Sequence, residues 1–124
     1  MEMAEADDKA RRLMDWLQEH TNRVLIVRKE EGNDSVRVRM RLNEVGFRPS
    51  GSPSDGFAGA SEIVLHGRGT IMAGRAEMPL PRDRYAIPLA GFGAILRAGG
   101  AAGGILVRTG RALYSIAPVH SARR

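Results

Sequence analysis

The sequence predicts a mainly β (α+β) domain with one amphipathic helix at its N-terminus. Apolar residues recur at helical spacing only in residues 4–20, whereas from Arg23 onward they alternate with polar residues, as in half-buried strands. Short connections rich in glycine, proline and asparagine separate the strand-like runs. We therefore expect a small β-barrel or a strongly curved antiparallel sheet, with the helix covering an open face or end.

Length and composition favour one domain over residues 1–124. The chain has 124 residues, of which 43% are hydrophobic, and this suffices for one ordinary core. It contains no cysteine, which excludes disulfides and thiolate metal sites and favours a reducing compartment. The acidic residues 1–8 do not resemble a signal peptide, and no apolar run approaches the ~20 residues that cross a bilayer. We therefore expect a cytoplasmic protein with no membrane partner.

Residues 4–20 form the predicted helix. Acidic residues stand four positions before basic ones in pairs such as Glu5–Lys9, each worth about 0.2–0.5 kcal/mol. One apolar stripe runs along the helix because its members recur at spacings of three and four. The stripe consists of Ala6, Ala10, Leu13, Met14 and Leu17.

The remaining elements are strands joined by turns. Residues 24–29 and 35–43 flank a Gly-Asn-Asp loop and predict a β-hairpin. Residues 62–72 predict strand structure interrupted at 66–69 by a turn or a glycine bulge. We list the other expected elements by range: a strand at 84–89, a short helical turn at 92–97 and a hairpin of 104–108 with 111–116.

Two segments are expected to contribute little to the core. Residues 46–61 are rich in glycine, serine and proline, and they predict either a disordered insertion or a mobile flap. Phe47 and Phe57 bracket this segment and would dock it. The basic residues 119–124 predict a frayed tail.

Charge is distributed unevenly along the chain. The net charge is +5, and the basic residues are 17 arginines and two lysines. Residues 1–34 contain nine acidic and six basic residues, whereas residues 35–124 contain five acidic and thirteen basic ones. An acidic helix attached to a basic body favours anionic partners. The arginine excess has a second explanation, a genome whose codons favour arginine, alanine and glycine.

The most specific local pattern is an arginine-faced strand. Arg37, Arg39 and Arg41 alternate with aliphatic residues, so their Cα atoms are expected about 6.6 Å apart on one face of the strand. This spacing is close to that of neighbouring phosphates on an extended single strand. Arg28 or Lys29 on the paired strand would widen the patch. Alternatively, these arginines form a solvated face that discourages edge-to-edge sheet pairing, and no stacking aromatic residue lies among them.

A second candidate site involves acidic residues and a histidine near the 46–61 segment. Glu62 and His66 share a face if their strand is regular, and Asp55 lies in the preceding segment. These residues would line a possible pocket under that segment, whereas the plainer interpretation is a surface histidine and solvated acids. The chain has no P-loop, no nucleophile-elbow motif and no histidine spacing typical of a metal site. We therefore expect no catalytic set, no metal and no cofactor.

Three classes of function remain open. The first is a non-catalytic binding or assembly module that acts as a homo-oligomer or as a subunit with a protein partner. The second binds nucleic acid or another polyanion through the arginine-faced strand. The third is a small enzyme with a pocket under residues 46–61. The layout of helix, hairpin and several short strands is similar to the YojF type of small β protein, with no shared motif.

Overall fold

A computed structural model describes residues 2–48, 62–89, 94–97, 104–110 and 112–119. The described elements are one α-helix, ten strands and a short 3-10 turn at Pro81–Asp83. In chain order they are α1 (Glu2–Glu19), β1 (Val24–Glu31), β2 (Asp34–Arg41), β3 (Glu44–Arg48), β4 (Glu62–His66), β5 (Gly69–Ala73), β6 (Ala76–Pro79), β7 (Arg84–Pro88), β8 (Ala94–Arg97), β9 (Ile105–Arg108) and β10 (Leu113–Pro118).

The strands form two antiparallel sheets. A seven-stranded sheet has the order β6-β5-β2-β1-β10-β9-β8, and a three-stranded sheet has the order β3-β4-β7. The prediction of a mainly β fold with one N-terminal helix and antiparallel pairing is therefore confirmed. The sheets do not close into a barrel in the part of the chain that the structure describes.

Helix α1 contacts β3 and β8, and the apolar side chains of its second half are buried in the core. Leu13 and Leu17 are fully buried, as their helical spacing predicts. Trp16 is buried as well, and its ring stacks on that of His20 with 4.0 Å between centroids. His20 also donates a hydrogen bond from Nδ1 to the Trp16 carbonyl at 2.7 Å, which satisfies one of the free carbonyls at the helix end. The chain then turns at Asn22, whose φ of 72° is tolerated well by asparagine.

The β1–β2 hairpin follows the predicted alternation. Val38 and Met40 are buried, whereas the arginines between them are exposed. The hairpin turn contains Gly32 at a φ of 60°, a left-handed conformation that glycine adopts without a steric penalty. The predicted hairpin is confirmed, with β1 extending two residues beyond the expected Lys29.

The two sheets are connected by the short segments that link β2 to β3 and β4 to β5. The β2–β5 pair ends at Met40 and Gly69, and the β3–β4 pair begins at Glu44 and His66. Three residues lie between these points on one strand and two on the other, which is the one-residue excess of a β-bulge. A turn or a glycine bulge was expected at 66–69, but the extra residue lies on the opposite strand, at 41–43, and residues 66–69 are the shorter side. We call this link between the sheets the bend.

Close backbone packing at the bend requires glycine. A Cβ atom added to Gly67 would lie 1.8 Å from the Arg41 carbonyl oxygen, and one added to Gly69 would lie 2.1 Å from the Arg39 oxygen. Both neighbours are main-chain atoms that cannot rotate away. The Arg41 amide donates to the Arg68 carbonyl at 2.9 Å and joins the two strands at this point.

One hydrophobic core is shared by α1 and both sheets. Its members are mainly aliphatic residues from the inner faces of the strands, together with Leu13, Trp16 and Leu17 of the helix. The strand residues are Leu25, Val27, Val38, Met40, Ile63, Leu65, Ile87, Ile105, Val107, Tyr114 and Ile116, and Leu42, Leu80, Leu89 and Ala112 from connecting segments complete the core.

Three expectations about local structure need correction. Residues 46–48 belong to β3, so any flexible segment begins later than predicted; residues 49–61, including Phe57, lie outside the described residues. Phe47 lies in β3 and is 46% exposed. Residues 94–97 form strand β8, not a helical turn, because they pair with β9. At the predicted tail, Val119 donates to the Val24 carbonyl at 2.8 Å, and residues 120–124 lie outside the described residues.

Two tyrosines lie on the core side of opposite sheets, and both have a raised pKa. Burial raises the pKa of the Tyr85 hydroxyl well above its usual range, and the neighbouring Tyr114 adds to this effect. Burial also raises the pKa of Tyr114, with a further contribution from the Glu31 carboxylate. The fold therefore favours both phenols in their neutral form.

We predict that Gly67→Ala lowers the free energy of unfolding by about 3 kcal/mol, the upper part of the range for overpacked sites, because the new methyl group would overlap the Arg41 carbonyl. Urea denaturation measures this change. Gly46→Ala is the matched control, since a Cβ there would meet only His66 Nε2 at 3.7 Å, and we expect a change below about 1 kcal/mol. Equal effects of the two substitutions would contradict the packing argument.

The raised tyrosine pKa values predict a loss of stability at alkaline pH. In the unfolded chain both tyrosines have a pKa of about 10, and in the folded chain they ionise at higher pH. Their stabilisation is therefore complete below pH 10 and decreases as the pH rises above it, by at most about 1.4 kcal/mol per pH unit for each tyrosine. Urea titrations at several pH values should show a steeper loss for the natural chain than for Tyr85→Phe/Tyr114→Phe. Parallel losses would rule this linkage out.

Candidate anion-binding face

The three arginines of β2 form a column on the outer face of the seven-stranded sheet. Arg37, Arg39 and Arg41 are exposed, and the residues between them point into the core. We call these three residues the arginine column. Strand geometry spaces successive members by about 6.6 Å, so the arrangement expected from the sequence is present in the fold.

Arg28 widens the column. It is exposed on β1 and stands directly opposite Arg37 in the β1–β2 register. Like charges directly opposite each other on neighbouring strands destabilise a sheet. Within the described residues, no carboxylate lies within ion-pair distance of either guanidinium. Among the described residues, these two adjacent positive charges therefore have no ion-pair partner.

A groove lies at the end of the arginine column nearest the bend. It has a volume of about 420 Å³ and opens to solvent. Three arginines, Arg39, Arg41 and Arg68, are among its lining residues, and the surface that faces the groove is mainly apolar. We call this feature the bend groove, and its other lining residues are Val24, Met40, Gly69 and Thr70.

Main-chain packing determines the shape of the bend groove. Thr70 stands opposite Arg39 in the β2–β5 register, and Val24 stands opposite Arg41 in the β1–β2 register. Gly69 contributes no side chain to the lining, and its missing Cβ would point into the main chain of β2. Arg41 donates from Nη1 to the Asn22 carbonyl at 2.9 Å, which holds its guanidinium at the groove without neutralising it.

Arg68 is a site residue that the sequence did not reveal. It lies between two glycines in a segment that resembles an ordinary turn, and nothing local connects it with β2. Its position beside Arg39 and Arg41 results from the long-range pairing of β2 with β5. The two flanking glycines were the available signal, because glycine in a strand often marks a close backbone approach.

An aliphatic strip borders the arginine column on the same face. Its members are outward-facing and half-buried, and they surround Ser115 on three neighbouring strands. Leu113 of the strip stands between Glu30 and Arg108 in register. The aliphatic strip consists of Ile26, Leu106, Leu113 and Ala117.

Lys29 does not join the arginine column. It lies on the opposite face of β1, with the core residues Leu25 and Val27, and forms an ion pair with Glu31 at 3.1 Å. The expectation that either Arg28 or Lys29 would widen the patch is therefore met by Arg28 alone, since adjacent strand residues point to opposite faces.

Two of the residues expected near a pocket, Glu62 and His66, lie on one face of β4, as the sequence predicts. Glu62 and His66 are at opposite ends of β4, about 13 Å apart along the strand. Glu62 instead forms an ion pair with Arg48 at 3.5 Å. Asp55 lies outside the described residues. Where the structure describes the chain, no three potential ligands among histidine, cysteine, aspartate and glutamate cluster as a metal site would require.

Helix α1 is not a membrane-spanning segment. No helix in the described ranges combines the length and the apolar character needed to cross a bilayer.

Comparison with known proteins assigns the chain to a family. A family model described as YmzB-like protein matches residues 6–121, a range that contains the arginine column, the bend and both sheets. The chain belongs to the YmzB-like family. The uncharacterized protein YmzB of Bacillus subtilis (strain 168) is 33% identical over 115 residues, which cover 88% of this chain and 94% of YmzB.

The YmzB-like family supplies no activity that could be assigned to the arginine column or the bend groove. No solved structure matches the chain. The likeness in layout to the YojF type rests on no motif, and the family that matches is the YmzB-like one.

Proposed function

We propose that this chain is a non-catalytic binding module for a polyanion, contacted through the arginine column. Single-stranded nucleic acid is the polyanion whose phosphate spacing fits best. The observation that carries the proposal is a cluster of exposed arginines that form no ion pair among the described residues. Arg28 and Arg37 stand opposite each other, and Arg39 continues the column toward the bend groove.

The alternative of a merely solvated arginine face explains less. Arginines that protect a sheet from edge pairing belong on edge strands, whereas β2 is hydrogen-bonded on both sides, to β1 and β5. Side chains on a solvated face also do not need to converge. Here Arg68 joins Arg39 and Arg41 at one end of the column, where an anionic chain would meet several arginine side chains together.

This proposal predicts salt-sensitive binding to single-stranded DNA or RNA. Three arginine contacts give a slope of log affinity against log salt of about −2, because each contact contributes about −0.7. Arg37→Ala and Arg39→Ala should each weaken binding and make the slope shallower by about 0.7. Fluorescence anisotropy over a range of salt concentrations measures both quantities.

Arg48→Ala is the matched control for these substitutions. It removes the same charge from an exposed position on β3, in the other sheet, where Arg48 pairs with Glu62. We expect its affinity and salt slope to equal those of the natural chain. Binding that is undetectable, or that loses as much with Arg48→Ala as with Arg39→Ala, would refute the proposed function.

A second candidate function is self-assembly, and the aliphatic strip favours it. Isologous dimers need a self-complementary patch. Glu30 and Arg108 stand on opposite sides of Leu113, so a copy related by a two-fold axis can place each carboxylate near the other's guanidinium. The strip between them is uncharged and half-buried. We propose that the chain forms a homo-oligomer through this strip.

Light scattering at several protein concentrations tests the assembly. We expect a stable dimer for the natural chain and a monomer for Leu106→Asp, since a buried carboxylate in the interface would lack a partner. Ala86→Asp introduces the same charge at an exposed position of β7 and should leave the dimer intact. A monomeric natural chain would exclude this candidate without affecting polyanion binding.

We also propose a cytoplasmic location, because a chain without cysteine needs no oxidising compartment and the cytoplasm supplies nucleic acid.

A further inference from the structure

The arginine column and the aliphatic strip adjoin each other on the outer face of the seven-stranded sheet. Ile26 of the strip stands opposite Arg39 of the column in the β1–β2 register. Arg28 stands between Arg37 on one neighbouring strand and Ser115, at the centre of the strip, on the other. Because neighbouring strands lie about 4.8 Å apart, the column and the strip are parts of one continuous surface.

The aliphatic strip is too small to form a stable interface by itself. It spans β1, β10 and β9, about 10 Å across the strands, and extends from Leu113 to Ala117, about 13 Å along β10. A stable interface buries about 800 Å² of accessible surface on each partner, several times what this strip offers. Because β10 is only six residues long, about 20 Å, a second copy seated on the strip must also cover neighbouring strands.

The charges beside the strip determine how the second copy is oriented. Glu30 and Arg108 flank Leu113 on either side, so Glu30 of each copy reaches Arg108 of the other when the two-fold axis runs along β10. This axis places β1 of one copy over β9 of the other, and β2 over β8. Extension of the interface across the strands therefore covers β2 and with it the arginine column.

The same axis places Arg28 over an apolar side chain in the dimer. Arg28 on β1 and Leu106 on β9 both stand opposite Ser115 in register. With β1 over β9, Arg28 lies over Leu106 of the second copy. A guanidinium that loses its water without gaining a carboxylate opposes association. A phosphate, by contrast, gives the same guanidinium charge-assisted hydrogen bonds.

We propose that a second copy and an anionic strand exclude each other on this face, so that the dimer is the closed form of the arginine column and the strand converts it to monomers. This regulation rests on the proposed polyanion function and on assembly through the aliphatic strip. Arg28 acts on the two equilibria with opposite sign, because it weakens the dimer and strengthens binding of the strand.

Sedimentation velocity of the full chain with an oligothymidylate of about six nucleotides tests the exclusion. We expect the dimer to be converted into complexes of one chain with one oligonucleotide. Where the dimer predominates, the concentration of free monomer increases as the square root of total protein. A tenfold increase in protein should therefore raise the bound-to-free ratio of a trace oligonucleotide about threefold, whereas binding that is independent of assembly would raise it about tenfold.

Arg28→Leu tests the opposite roles of Arg28. It should lower the dissociation constant of the dimer about tenfold, because a leucine over Leu106 extends the apolar contact, and it should weaken oligonucleotide binding about tenfold. Arg48→Leu, on the other sheet, is the matched control and should change neither constant. Changes of both affinities in the same direction with Arg28→Leu would contradict the proposal.

The remaining outcomes identify which proposal fails. A complex that contains two chains and the oligonucleotide, or a tenfold rise in the bound-to-free ratio for a dimeric chain, overturns the exclusion and leaves polyanion binding standing. Absence of oligonucleotide binding refutes the polyanion function. A natural chain that sediments as a monomer without oligonucleotide refutes the assembly, and either of these last two results overturns the exclusion as well.

Discussion

The architecture depends on the close approach of two glycines, Gly67 between β4 and β5 and Gly69 at the start of β5, to main-chain carbonyls of β2. Gly67 and Gly69 lie against main-chain oxygens of Arg41 and Arg39, where a side chain has no room. The contact allows one strand pair to continue from the large sheet into the small one across a one-residue bulge. It also carries Arg68 to the outer face, beside the arginine column. Core closure and the groove therefore have the same origin.

Local sequence patterns predicted those parts of the fold whose pairing is local. The β1–β2 hairpin follows from strict alternation around a Gly-Asn-Asp loop, and α1 follows from one apolar stripe. Strand β3 was missed because Gly46 and the adjacent serine- and proline-rich residues resemble a loop, although its pairing with β4 fixes it as a strand. Strand β6 was missed because it is fully exposed and ends in Pro79, so it shows no buried face.

The candidate site divides in the same way. The arginine column could be predicted because side-chain alternation within one strand determines which face its members share. The bend groove could not, since it requires β5 to lie beside β2, a pairing that no local pattern encodes. Lys29 illustrates the same rule. It follows Arg28 directly in β1, and its side chain therefore lies on the opposite face of the sheet.

The order of the large sheet has a consequence for how the protein forms during synthesis. Its centre is the pair β1–β10, in which Glu30 stands opposite Leu113, so the middle of the sheet joins distant parts of the chain. During translation, β1 can pair with β2 early, but its other edge stays open until β10 leaves the ribosome. Such open edges are prone to pair with other chains. One edge of β1 therefore stays unpaired in the nascent chain until β10 has emerged.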